Sequence, residues 1–75
     1  MYNVTVTLGR PTVAGIRDLL AWALTLAPVC EYQDVDACGR PVNTLTLATT
    51  LCMAAWPASG AILDAVDGNM VVTPC

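Results

Sequence analysis

Apolar and polar positions alternate at the start of the chain, where Tyr2, Val4, Val6 and Leu8 are separated by Asn3, Thr5 and Thr7. A period of two in β-forming residues predicts a half-buried strand over residues 2–8. Gly9-Arg10-Pro11-Thr12 breaks that pattern and offers Thr12 as a helix N-cap. The run 13–27 is apolar on most sides, leaving Ala14, Asp18, Ala21 and Thr25, flanked by Arg17, as a narrow stripe suited to water. This predicts a helix that needs cover on more than one side. Pro28 stops it, because proline lacks the backbone donor and disfavours helix in the residue before it.

Residues 30–40 hold Glu31, Asp34 and Asp36 and read as an exposed connection. Beyond them, Asn43 or Thr44 is placed to cap a second helix running to about Trp56 and closed by Pro57. Thr44-Leu45-Thr46-Leu47 also alternates as a strand does, but Leu51, Met53, Ala54 and Ala55 favour the helix. In the last segment two apolar runs, 61–66 and 69–73, flank Asp67-Gly68. Asp-Gly between such runs signals a β-hairpin, since a type I′ turn needs positive φ at both central residues. That turn sets Ala65 opposite Met70 and Leu63 opposite Val72 on one face, with Asp64 and Asn69 on the other. The elements assemble into an α+β fold, a small βααββ sandwich of one domain spanning 1–75, in which a three-stranded antiparallel sheet carries two helices on one face.

Composition adds a constraint on surface. Of the 75 residues, 56% are hydrophobic and 12% charged, and a chain this short buries only about 60% of its unfolded surface. Such an excess implies that apolar surface is covered by copies of the chain, a partner or a membrane. Leu19 to Cys30 and Pro41 to Leu63 contain no Asp, Glu, Lys or Arg, and the second is long enough for a span. Its threonines, Asn43, Pro57 and Ser59 lower its hydropathy, so buried core or assembly interface is the preferred reading and a membrane the second. No basic n-region or continuous apolar stretch of a secretory signal is visible over residues 1–10. Cytoplasm of a host cell, or a virion, is the location expected.

Charge and chemistry narrow the classes further. The positive residues are Arg10, Arg17 and Arg40, with no lysine, so direct nucleic-acid binding is not expected. Arginine in place of lysine, beside abundant Ala, Val, Leu and Thr, matches the codon bias of a GC-rich genome such as that of an actinobacterium, a pseudomonad or their phages. Histidine is absent too, which removes the common acid–base groups near neutrality, and no motif supplies a base for a cysteine nucleophile. The chain is therefore read as a non-enzyme without cofactor. Cys30, Cys38, Cys52 and Cys75 have an even count but lack the close pair of a zinc site. They are read as thiols, with Cys52 a core residue and Cys75 the candidate for intermolecular pairing. Glu31, Asp34 and Asp36 are a solvated loop before they are a metal site.

Tyr2 with Gly9-Arg10-Pro11 recurs as Tyr32 with Gly39-Arg40-Pro41, which would place Arg10 and Arg40 at equivalent helix entries if it marks a duplication. The alternative is that Gly-x-Pro simply breaks one element and starts the next. Directional recognition is assigned to Glu31, Asp34, Asp36, Arg10 and Arg40, and to Trp56 because interfaces enrich large aromatics. The outer sheet positions Asn3, Thr5, Thr7 and Val71 are the reserve. The function expected is protein–protein interaction by a phage-encoded accessory protein. It would be either a stoichiometric inhibitor of a host defence complex, such as an anti-CRISPR, or a self-assembling virion subunit. The alternatives are a small membrane protein with 41–63 inserted and a secreted disulfide miniprotein.

Overall fold

The computed structural model describes residues 1–56 and 60–74. Its elements are β1 (Tyr2–Leu8), α1 (Val13–Leu24), β2 (Cys30–Val35), β3 (Pro41–Thr49), a 3₁₀ turn at Met53–Ala55, α2 (Gly60–Val66) and β4 (Gly68–Pro74). The four strands form one sheet in the order β2-β3-β1-β4, and every neighbouring pair is antiparallel. Each helix therefore connects two parallel strands that have a third strand between them. This is the split βαβ, ferredoxin-like arrangement. Both helices lie on one face.

The alternation expected for β1 holds, with Val4, Val6 and Leu8 buried beneath the helices and Asn3 and Thr7 exposed on the other side. Thr12 caps α1 as expected, its Oγ1 accepting from Gly15 N at 3.1 Å. Gly15, Leu19, Trp22 and Ala23 are buried on the inner side of α1, while Ala14, Arg17, Asp18, Ala21 and Thr25 are exposed. The helix ends three residues short of the expected boundary, at Leu24. There the Thr25 hydroxyl donates to Trp22 O at 2.6 Å, and the amides of Leu26 and Ala27 both donate to Ala23 O. Gly15 marks where the two helices meet, since a Cβ there would collide with the side chain of Val66 and with Thr12 Oγ1.

Four expectations are corrected. Residues 41–49, assigned to a second helix, are the inner strand β3, with Leu45, Leu47 and Thr49 buried and Thr46 and Ala48 exposed. The alternation of threonine and leucine prevails because β3 pairs on both sides, with β1 and with β2. Of the helix expected to run to about Trp56, only the three-residue turn 53–55 is helical among the described residues. Pro57, the expected helix stop, lies outside the described residues.

Residues 30–35, taken as part of a connection, are edge strand β2. Its half-buried Cys30 and Tyr32 alternate with exposed Glu31 and Gln33. Asp67-Gly68 is a turn, yet it joins a helix to a strand. Ile62, Leu63 and Val66 fit one side of a helix as well as they fit a strand, and β4 finds its partner in β1 instead. Asp67 takes φ 49°, the left-handed conformation that ends helices. The sheet accordingly has four strands where three were expected. The repeat around Gly-Arg-Pro is not a structural repeat, because a helix follows Arg10 and a strand follows Arg40.

Candidate functional site

The antiparallel sheet gathers most of the charged loops at one end of the molecule and the long uncharged segments at the other, although the exposed Val13 (84%) and Val35 (49%) also stand at the charged end. At one end lie the β1–α1 loop with Arg10, the β2–β3 hairpin with Asp36 and Arg40, and the α2–β4 junction with Asp67. At the other lie the start of β1, the end of α1, the start of β2 and the exit from β3. This second end contains no Asp, Glu, Lys or Arg between Leu19 and Cys30 or between Pro41 and Leu63.

The charged end is closed upon itself. Asp36 Oδ1 accepts from the amides of Cys38 and Arg40 at 2.8 and 2.9 Å, and Oδ2 lies 3.1 Å from Arg40 Nε. These bonds hold the Asp36 carboxyl below its usual range, the Arg40 amide bond being the largest cause. Gly39 completes the turn at φ 81°. On the neighbouring strand Asn43 takes φ 46°, and Val42 and Asn43 together oppose Asp34, so the hairpin carries a bulge. Tyr32 donates its hydroxyl to Asn43 Oδ1 at 3.0 Å. Partial burial, and then the charge of Asp34, push the Tyr32 phenol up. Across the sheet, Arg10 N donates to Val66 O at 2.8 Å and Gly9 N to Asp67 O at 3.0 Å, tying the loop to the end of α2.

The opposite end is built from large side chains. The Trp56 ring stands edge-on to both Tyr2 and Trp22, with centroids 6.4 and 6.5 Å away, and its Nε1 donates to Leu51 O at 3.1 Å. Thr49 is buried, and its Oγ1 donates to Leu26 O and accepts from Leu51 N, joining the turn after α1 to the exit of β3. Around this aromatic clasp Met1, Leu24, Val29, Leu51 and Met53 are exposed, Val29 at 76% and Leu24 at 57%.

The residues expected to form one recognition site are therefore dispersed. Arg10, Asp34, Asp36 and Arg40 lie toward the charged end, with Asp36 and Arg40 satisfied by each other. Glu31 lies on the open face of the sheet, opposite Thr46, and accepts from Gln33 Nε2 at 3.1 Å. Trp56 is at the far end and half-buried as packing. Sequence reasoning missed Leu24, Val29, Leu51 and Met53, although the absence of charge from 41–63 pointed to their neighbourhood.

The open face itself is a threonine array, with the cross-strand row Glu31, Thr46, Thr5, Val71 followed by the row Gln33, Thr44, Thr7, Asn69. A shallow depression of about 390 Å³ lies at its lower part, lined by Asn3, Thr5, Val29, Glu31, Thr46 and Ala48 among others. A four-stranded sheet that stacks nucleic-acid bases does so with aromatics on its middle strands. Here the middle-strand positions carry Asn3, Thr5, Thr7, Thr44, Thr46 and Ala48.

Among the described residues no three His, Cys, Asp or Glu side chains come together as metal ligands. Cys30, Cys38 and Cys52 are free, and Cys52, expected in the core, is exposed; Cys75 lies outside the described residues. Among the described residues no helix is long and apolar enough to cross a membrane, and residues 41–49, the first part of the segment 41–63 considered for insertion, are a strand of the sheet. Compared with protein-family models, with curated proteins and with solved structures, the chain finds no match in any of the three.

Proposed function

We propose that the protein acts without catalysis, by binding protein, and that its uncharged end makes the contact. The observation carrying this reading is the exposure of Leu24, Val29, Leu51 and Met53 at the end built from segments 19–30 and 41–63, which carry no Asp, Glu, Lys or Arg, with Glu31 the charged neighbour beside Val29 on the open face. Apolar surface gathered in this way is what protein-binding sites offer. Methionine adds adaptability, because its unbranched, polarizable side chain fits irregular partner surfaces. The charged end is the weaker candidate, since the Asp36 carboxylate is already engaged by its own hairpin. A stoichiometric inhibitor of a host complex and a subunit of a virion both use such a surface, and we place the protein in this class of phage accessory proteins on composition and size.

The test is comparative capture from bacterial host lysate. Wild type and Asp34→Asn are expected to retain the same protein, and the double variant Leu51→Ser/Met53→Ser to lose it. Retention by the double variant together with loss by Asp34→Asn would transfer the site to the charged end.

A further inference from the structure

The two edges of the sheet are not equivalent. Strand β2 carries Glu31 and Asp34, is followed by Asp36 and faces a bulge, all of which are devices that discourage pairing with another strand. Strand β4 carries no charge from Gly68 to Pro74 and pairs with β1 over seven consecutive residues without a bulge. Its outer side has no strand partner among the described residues.

The direction of the free backbone groups follows from the ladder. Gly9 N donates to Asp67 O one step beyond the Leu8–Gly68 pair, and hydrogen-bonded pairs alternate in an antiparallel ladder. Thr7–Asn69, Thr5–Val71 and Asn3–Thr73 are thus the hydrogen-bonded pairs. Gly68, Met70, Val72 and Pro74 aim their backbone outward, and Pro74, which has no N–H, sits where no bond to β1 is lost.

We propose that β4 pairs with β4 of a second copy, antiparallel about a twofold axis at Val71, to give a continuous eight-stranded sheet. The sequence is self-complementary in that register. Met70 faces Val72 of the second copy and exchanges both backbone hydrogen bonds with it. The Gly68 amide reaches the Pro74 carbonyl, Asn69 lies beside Thr73, and Val71 meets Val71. On the helix-covered face Met70 and Val72 are only half-buried, as are Ile62 and Leu63 of the short α2, so a second copy extends a hydrophobic layer that one chain leaves incomplete. On the open face Val71 is 54% exposed and gains cover from its twofold mate. The acids of β2 remain at the outer edges of the dimer, far from the axis. Because the strands run in opposite directions, the two uncharged ends point opposite ways. The dimer presents two binding surfaces, which goes beyond the single contact proposed above.

Sedimentation equilibrium of the full chain, from micromolar to millimolar, tests this proposal. The expected mass rises to twice 7.9 kDa in wild type and in Gln33→Lys, which places the same charge on the other edge. In Val71→Lys the mass stays at 7.9 kDa with an unchanged far-ultraviolet spectrum, because the substituted side chain lies largely in solvent. A second readout is independent of variants. Exchange at the Met70 and Val72 amides should slow by an order of magnitude as concentration rises, while the Asn69 and Val71 amides stay protected throughout. A wild type that remains monomeric, a Val71→Lys protein that still dimerises, or Met70 and Val72 amides indifferent to concentration would overturn the pairing. Dissociation by Leu51→Ser/Met53→Ser would overturn it too, by moving self-association to the uncharged end. Loss of the dimer leaves capture of a foreign protein unaffected, so the two proposals fail separately.

Discussion

The two ends of this small sheet are held together by different means. At the charged end most of the fixing contacts use backbone amides: those of Gly9 and Arg10 on the α2 terminus and of Cys38 and Arg40 on the Asp36 carboxylate, beside the close approach of α1 to Val66 at Gly15 and the Tyr32–Asn43 side-chain bond. At the uncharged end they are side-chain contacts, with Trp56 between Tyr2 and Trp22 and the Thr49 hydroxyl bridging to α1. At the first end Asp36 and Arg40 engage each other within the hairpin. At the second, Leu24, Val29, Leu51 and Met53 remain exposed beside the clasp, and this is the surface proposed for a partner. Counting charged residues in the sequence does not show that Asp36 and Arg40 already engage each other.

The contrast can be broken one contact at a time. Trp56→Ala removes two edge-on ring contacts and a hydrogen bond from the uncharged end, and should cost about 3 kcal/mol in urea unfolding. Gly15→Ala, at the helix crossing, forces a methyl group against Val66 and Thr12 and should cost about 2 kcal/mol by the same measurement. A loss much larger than that of Trp56→Ala would make backbone approach the dominant fixture of the fold. Thr49→Val keeps the shape but leaves Leu26 O and Leu51 N without their partner, for about 1 kcal/mol.

The smallest effect belongs to the hairpin. Hydrogen bonds hold the folded Asp36 carboxyl below its ordinary value of 3.8, so their contribution is present above that value and is lost as pH falls through the lower folded one. The Cys38 and Arg40 amide resonances should therefore titrate with a midpoint below 3.8, and Asp36→Asn should abolish the titration. A midpoint at or above the ordinary value would mean that the carboxylate is not engaged.

Much of the fold is legible where a local signal has a single structural solution. The alternation of β1, the Thr12 cap and the water-facing stripe of α1 are of this kind. Elsewhere two solutions fit the same residues, and long-range pairing chooses between them. Thr44 to Leu47 alternates as a strand within a segment whose alanines favour helix, and the partners β1 and β2 decide for strand. Residues 61–66 suit either state, and β4 takes the place beside β1 that a hairpin partner would have left open. Asp67-Gly68 reports a reversal of the chain without reporting what precedes it. The candidate surface was legible only as an uncharged stretch. Which of its side chains stay in solvent depends on how β3 exits toward Trp56, and no periodicity encodes that.

The central claim, that binding resides at the uncharged end, is tested most directly by titrating the captured protein against two variants. Leu51→Ser/Met53→Ser should weaken binding by at least about tenfold, equivalent to about 1.4 kcal/mol, with unfolding unchanged. Arg10→Gln/Asp34→Asn at the charged end should leave the affinity within about twofold, as expected of side chains outside the contact. Unaltered affinity in the first variant, with a tenfold or greater loss in the second, would contradict the account.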